Sequence, residues 1–151
     1  MNEATRSAEP LPAPAQLLPH GPSMVFIERI VERGETHVVC EVVPGTNDAS
    51  HARDGVIPAT MSVEYMAQTV SLYAGLRAPP GQRREVGYVI AVRALKVRAP
   101  SFALGVPLKV RAQWQWGEDR LGRFETSISR GDETIASAFM SVYRPTPEEM
   151  A

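Results

Sequence analysis

One cysteine in 151 residues, Cys40, leaves no pair for an internal disulfide and no basis for a cysteine-built zinc cluster. Neither charge sign dominates: 16 Lys and Arg stand against 17 Asp and Glu, for a formal net charge of -1. That balance excludes broad, charge-driven binding to nucleic acid and leaves only local basic patches. No apolar run approaches the roughly 20 residues needed to cross a bilayer, so no membrane partner is expected. The first residues, Met1-Asn2-Glu3-Ala4-Thr5-Arg6, lack the charged-then-apolar layout of a secretory leader, and a reduced cytoplasm is the expected location. What is present, 44% hydrophobic and 22% charged residues, is the balance of an ordinary globular domain that builds its own core.

Prolines 10, 12 and 14 alternate within an Ala- and Glu-rich stretch, so residues 1–16 are expected to form an extended tail. The folded part is expected over residues 17–145, with 146–151 as a C-terminal tail. It opens with the turn-rich Leu17-Leu18-Pro19-His20-Gly21-Pro22. Val25 to Glu32 and Thr36 to Val43 read as a strand pair around Arg33-Gly34-Glu35. Pro44 to Arg53 reads as a loop of a length that is often functional.

Ala59 to Ala78 reads as a helix, with Pro58 suited to its first turn and Pro79-Pro80-Gly81 to stop it. Met61, Val63, Tyr65, Met66, Val70, Leu72, Tyr73 and Leu76 place apolar groups around the whole circumference, which predicts burial on every side. Strands are then expected over Val86 to Val97, Val106 to Trp116, Phe124 to Ser129 and Thr134 to Tyr143. Turns are expected at Gly117–Gly122 and Arg130–Asp132. A single long helix wrapped by an antiparallel sheet is the α+β arrangement called the hot-dog fold. One copy covers only one side of its helix, so a partner subunit is expected.

From Ala59 to Leu76 the only formal charge is Glu64, where average composition would place about four. A buried carboxylate must be partnered, protonated or used. Burial raises its pKa toward the range of a general acid, while the helix N-terminus pulls the other way. A Glu that merely reaches solvent is the plain alternative. Gln68, one turn on, can hydrogen-bond it. Of the histidines, His37 reads as a strand residue and His20 as a structural member of its rigid turn. His51, in the loop feeding the helix, is the candidate proton-transfer partner. No metal-ligand cluster and no phosphate-cradling glycine loop stands out, so neither a metal nor a cofactor is expected.

The residues 17–24 (Leu-Leu-Pro-His-Gly-Pro-Ser-Met) with Phe26-Ile27-Glu28-Arg29-Ile30-Val31 resemble the opening of the 3-hydroxyacyl-acyl-carrier-protein dehydratases of fatty acid synthesis. Val56-Ile57-Pro58-Ala59 and Val63-Glu64-Tyr65-Met66-Ala67-Gln68-Thr69 resemble their central-helix signature. Ala-Gly-Leu at 74–76 and Ala-Pro-Ser-Phe-Ala-Leu-Gly at 99–105 are most similar to the dehydratase subfamily of aryl polyene biosynthesis clusters. The resemblance implies a homodimer, or a higher oligomer of dimers, acting on a (3R)-3-hydroxyacyl thioester of acyl carrier protein. A loop histidine (His51) removes the α-proton, and the helix acid (Glu64) protonates the departing hydroxyl to leave the trans-2-enoyl product. It also implies a thioester site along Val56, Pro58, Ala59 and Gln68, with the Ala59 amide polarising the carbonyl. Two departures stand out. Ala59 occupies a position that is usually Gly, and His51 lies one residue closer to the helix acid, without the following Phe-Pro. Either the shortened loop still brings His51 to Glu64, or the base lies elsewhere. An acyl thioesterase and a non-catalytic dimer partner remain the alternatives. The cluster Arg77, Arg83, Arg84, Arg93, Lys96 and Arg98 is either a docking rim for an acidic carrier protein or a solvated sheet edge.

Overall fold

A computed structural model of the chain describes residues 10–78, 87–146 and 148–150. The stop signal Pro79-Pro80-Gly81, Arg83, Arg84 and the strand start at Val86 therefore lie outside the described residues. So do the first nine residues of the expected tail. Its last part is not extended: Pro14–Leu17 (α1) forms one helical turn with Pro14 at its first position, and Gln16 Oε1 turns back to accept the Ala13 N–H at 3.0 Å. Pro14 is buried and Leu11 packs on the core, so burial outweighs the alternating prolines here.

The strands are β1 (Arg29–Arg33), β2 (His37–Val42), β3 (Val56–Pro58), β4 (Tyr88–Val97), β5 (Ser101–Ala103), β6 (Leu108–Glu118), β7 (Leu121–Arg130) and β8 (Glu133–Tyr143). Six of them form one antiparallel sheet in the order β1-β2-β6-β7-β8-β4. The central helix α2 (Ser62–Arg77) packs against β2, β6 and β7, in the hot-dog arrangement. Alternation decides the inner face: Val38, Cys40 and Val42, then Leu108, Val110 and Ala112, then Phe124, Thr126 and Ile128 are all buried. The register lines up Val38, Ala112, Thr126 and Ala138 across four strands. These are small or short side chains, and they leave room for the helix. Met66 fills the space above them, with Thr126 Oγ1 donating to Ala138 O at 2.9 Å and lying 3.0 Å from Met66 Sδ. Cys40 faces the same core, and burial pushes its thiol up to about 12, with a bond to Thr69 opposing, so it stays a thiol.

Helix α2 follows a single 3₁₀ turn, Ala59–Met61, and ends at Ala78, whose extended backbone (φ -68, ψ 142) is what a residue before proline adopts. Two details exceed the sequence reading. The strands β6 and β7 run through the expected Gly117–Gly122 loop and close on Asp119-Arg120, with Gly117 paired to Gly122. A Cβ at Gly117 would stand 2.9 Å from Trp114 Nε1 and 3.2 Å from Leu121 O, so a side chain there would push the indole aside. The strands β3 and β5, three residues each, also pair outside the main sheet, Ile57 opposite Phe102. The tight Asp54-Gly55 turn (φ 53 and 78) sends the chain into β3, a left-handed pair that Asp-Gly adopts readily.

Candidate active site

Glu64 lies in the first turn of α2. Its Oε1 accepts a hydrogen bond from Gln68 Nε2 at 3.0 Å, and His20 Nε2 stands 3.7 Å from the same oxygen. No hydrogen bond among the described residues reaches Oε2. The Gln68 amide is fully buried, and the backbone fixes its orientation. Its oxygen accepts the Phe26 N–H at 2.9 Å, so its NH2 must face Met24 O, at 2.6 Å, and Glu64. One side chain thus ties the turn before β1 to the helix and aims the carboxylate.

The enclosure expected for Glu64 is not complete within one chain. Its side chain is 38% exposed, and with Val63, Ala67, Ser71 and Ala74 it follows a half-buried stripe of α2 that faces away from the sheet. The sheet of a single chain reaches only the opposite face, so within one chain the helix is buried on that face and half-buried along the stripe.

His51 closes a 3₁₀ turn (Ala49–His51), with its ring edge-on to Phe26 at 5.3 Å and Ser50 Oγ 3.4 Å from Nδ1. Among the described residues no hydrogen bond or ion pair joins it to Glu64. The histidine beside the acid in the same chain is His20, read from the sequence as a structural turn residue. His37 sits on the outer surface, 2.6 Å from Glu32 Oε2 and away from the helix acid.

The loop carrying His51 is anchored by a group the sequence reading passed over. Asp48 is buried; its Oδ1 accepts the Gly45 N–H at 2.7 Å and its Oδ2 accepts the hydroxyl of Tyr65, the residue after Glu64. Burial, and then the bond to Asp48 and its charge, hold the Tyr65 hydroxyl far above its ordinary range, so it remains a donor. Asp within a loop, followed three residues later by His, is the signal that could have drawn notice.

The thioester-site residues are placed as follows. Val56 and Pro58 pair with Ala103 and Ser101 in the β3–β5 ladder, and the Ala59 N–H continues that ladder by donating to Pro100 O at 3.1 Å. The Ala59 amide is therefore engaged, and a thioester carbonyl would have to displace Pro100 to use it. Arg77 is likewise committed, with NH1 2.6 Å from Glu35 O and its guanidinium over the Tyr73 ring. Arg93, Lys96 and Arg98 are exposed. Among the described residues no group of three or more His, Cys, Asp or Glu side chains is placed to hold a metal ion, and no helix is long and apolar enough to cross a membrane.

One long helix packed on an antiparallel sheet defines the hot-dog class, which holds both thioesterases and dehydratases. The dehydratase heterocomplex ApeI:P from Xenorhabdus doucetiae shares the fold with a TM-score of 0.84 at 24% identity, over 93% of this chain and 96% of that one. A mutant thioesterase PA1618 from Pseudomonas aeruginosa aligns with a TM-score of 0.59 at 12% identity, over 77% of this chain and 79% of that one. A mutant of the phenylacetic acid degradation protein PaaI from Thermus thermophilus gives 0.58 at 13% identity, over 78% and 92%. No curated protein matches the chain in sequence. The sequence profile of the ApeP-like family, described as ApeP dehydratase, matches residues 12–151, and the chain belongs to that family of dehydratases.

Proposed function

We propose that the chain dehydrates a 3-hydroxyacyl thioester carried by acyl carrier protein, within a dimer of hot-dog subunits. The observation that carries this reading is the aimed carboxylate. Glu64 has Oε1 fixed by an amide that the backbone itself orients, while Oε2 is left to carry the proton that the acid gives to the substrate. In the reaction, a histidine takes the proton α to the thioester, the C–O bond at C3 breaks, and Glu64 gives its proton to the leaving hydroxyl, releasing water and the trans-2-enoyl thioester. The overall change is loss of water with no net oxidation, so it calls for no redox cofactor. Within this reading His51 is the base, held at Phe26 so that it meets the acid of the opposite subunit, and Val56, Pro58 and Gln68 border the acyl thioester.

The need for a second subunit follows from the edges of the sheet. Strand β4 is ten residues long, lies at the sheet edge, and exposes Tyr88, Ile90 and Leu95, with Ile90 58% exposed. The opposite edge, β1, is five residues long, carries Arg29, Glu32 and Arg33, and is broken by an irregularity between Ile30 and Glu32. Strand β4 also carries Arg93, Lys96 and two irregularities, at Val89/Ala91 and Arg93/Lys96, so it is its length and its exposed Tyr88, Ile90 and Leu95 that mark it as the edge to be paired. Pairing through β4 would also bring a second subunit toward the open stripe of α2. The partner is a second hot-dog chain, either a copy of this one or, as in ApeI:P, a different dehydratase subunit. The exposed Arg93, Lys96 and Arg98 suit an acidic carrier protein, and the buried free thiol of Cys40 suits a reducing cytoplasm.

The test uses the 3-hydroxybutyryl thioester of N-acetylcysteamine, following enoyl absorbance and free thiol together, with the chain alone and with its dimer partner. Enoyl formation without thiol release is expected. Glu64→Gln should lower it about 10²–10⁴-fold, the usual worth of a general acid. Thiol release instead would make the protein a thioesterase, and neither product would make it a non-catalytic partner.

A further inference from the structure

His20 and Glu64 come from segments 44 residues apart and meet in one chain. His20 Nε2 is 3.7 Å from Glu64 Oε1, within ion-pair range and a small side-chain adjustment from a hydrogen bond. The approach is built rather than incidental. Pro19 and Pro22 stiffen the turn that carries His20, a 3₁₀ turn (Pro22–Met24) follows, and Gln68 holds Met24 O and Phe26 N–H while holding Glu64. The other ring nitrogen, His20 Nδ1, is buried and has no hydrogen-bond partner among the described residues.

That orphaned nitrogen decides where the ring proton sits. A neutral imidazole carries one N–H and one lone pair. A buried N–H with no acceptor is among the rarest of unsatisfied groups, and an unmade bond of this kind costs about 1–3 kcal/mol. The hydrogen is therefore better placed on Nε2, the nitrogen that faces the carboxylate. We propose that His20 is the positioning residue of Glu64: a neutral imidazole whose Nε2–H, together with the Gln68 amide, holds Oε1 and turns Oε2 toward the substrate. A nitrogen that carries a hydrogen toward Glu64 cannot at the same time accept the α-proton, so the base must be a different group. His20 aims the acid and leaves proton abstraction to the loop histidine. The kinetic consequence rests on the dehydratase reading; the tautomer does not.

The experiment therefore has two arms on the full-length protein. In the first, two-bond ¹⁵N–¹H correlation spectra of the wild type should show His20 as the Nε2–H tautomer, changed in Glu64→Ala. An Nδ1–H tautomer, or a signal indifferent to Glu64, overturns the proposal. In the second, Gln at position 20 places its amide nitrogen near the site of Nε2, and Asn places it near Nδ1. With the N-acetylcysteamine substrate, His20→Gln should stay within about 5-fold of wild-type kcat, while His20→Asn and His20→Ala lose about 10–100-fold with little change in KM, as expected for a misaimed acid. Wild-type kcat in His20→Ala overturns the proposal. So does a His20→Gln variant that melts like wild type but is as inactive as His20→Ala, since that marks a base. Should the wild type show no dehydration at all, the dehydratase reading fails, and the spectra still decide whether His20 donates to Glu64. Should His20→Ala fail to fold, the Gln and Asn variants carry the kinetic arm.

Discussion

The turn Leu17–Met24 and the loop Pro44–Arg53 each carry a histidine toward the N-terminal half of α2, and the helix holds them by opposite means. A neutral amide, Gln68, grips the turn through two backbone groups and leaves His20 facing Glu64. A buried carboxylate, Asp48, grips the loop through the Tyr65 hydroxyl and the Gly45 N–H, with His51 packed on Phe26. The two attachments therefore have different costs of failure. An amide and its backbone partners lose hydrogen bonds when parted, whereas a buried carboxylate that loses a donor keeps an uncompensated charge. Consecutive helix residues divide the work: Glu64 is bound to the turn's clamp, and Tyr65 to the loop's.

The largest effect that can overturn this contrast is expected at Tyr65→Phe, which strips the buried Asp48 of its helix donor. It should cost about 3 kcal/mol in chemical denaturation, and Tyr65→Phe with Asp48→Asn should recover about half of that, because the stranded charge is gone. Equal losses in the single and double variants would show that the charge is not what matters. Next comes Gln68→Ala, which leaves Phe26 N–H and Met24 O unpaired beside Glu64. About 2 kcal/mol of stability should go, together with about 10-fold or more of kcat. A stability loss with unchanged turnover would detach the clamp from the acid.

Two glycines probe the same contrast at smaller scale. Gly55, leaving the loop, has φ 78 and open space around it, so Gly55→Ala is strained by conformation alone and should cost about 1 kcal/mol. Gly21, in the turn, has φ -62, and among the described residues no atom lies within 4 Å of where a Cβ would stand. Gly21→Ala should therefore be neutral or stabilise by about 0.5 kcal/mol through the unfolded chain. Thermal melts of the two variants shifting in the same direction would mean that the turn and the loop are not stiffened differently after all.

Much of the fold is legible in the chain because it rests on local repeats. Period-two alternation in β2, β6, β7 and β8 marks the inner face, and Pro58 announces the turn from which the helix starts. The lone charge at Glu64 is likewise visible in one dimension. The pair β3–β5 is not, because three residues per strand are too few to show a period, although Asp54-Gly55 signals the turn into it. The closeness of His20 to Glu64 is hidden for a different reason. Its turn reads as structural from its prolines alone, and nothing within that turn reveals that a glutamine 48 residues later holds it against an acid. The engagement of the Ala59 amide by Pro100 is equally invisible, since it depends on how two short strands happen to align.

The order of residues alone dictates that a single apolar helix with one carboxylate near its start is wrapped by an antiparallel sheet, because burial and strand pairing follow from side-chain period. Which imidazole stands beside that carboxylate, and which face of the helix one chain leaves open, is settled only when the chain packs. Those outcomes depend on contacts between segments remote in sequence: a buried amide at Gln68, a buried carboxylate at Asp48, and a sheet that reaches one side of α2 only.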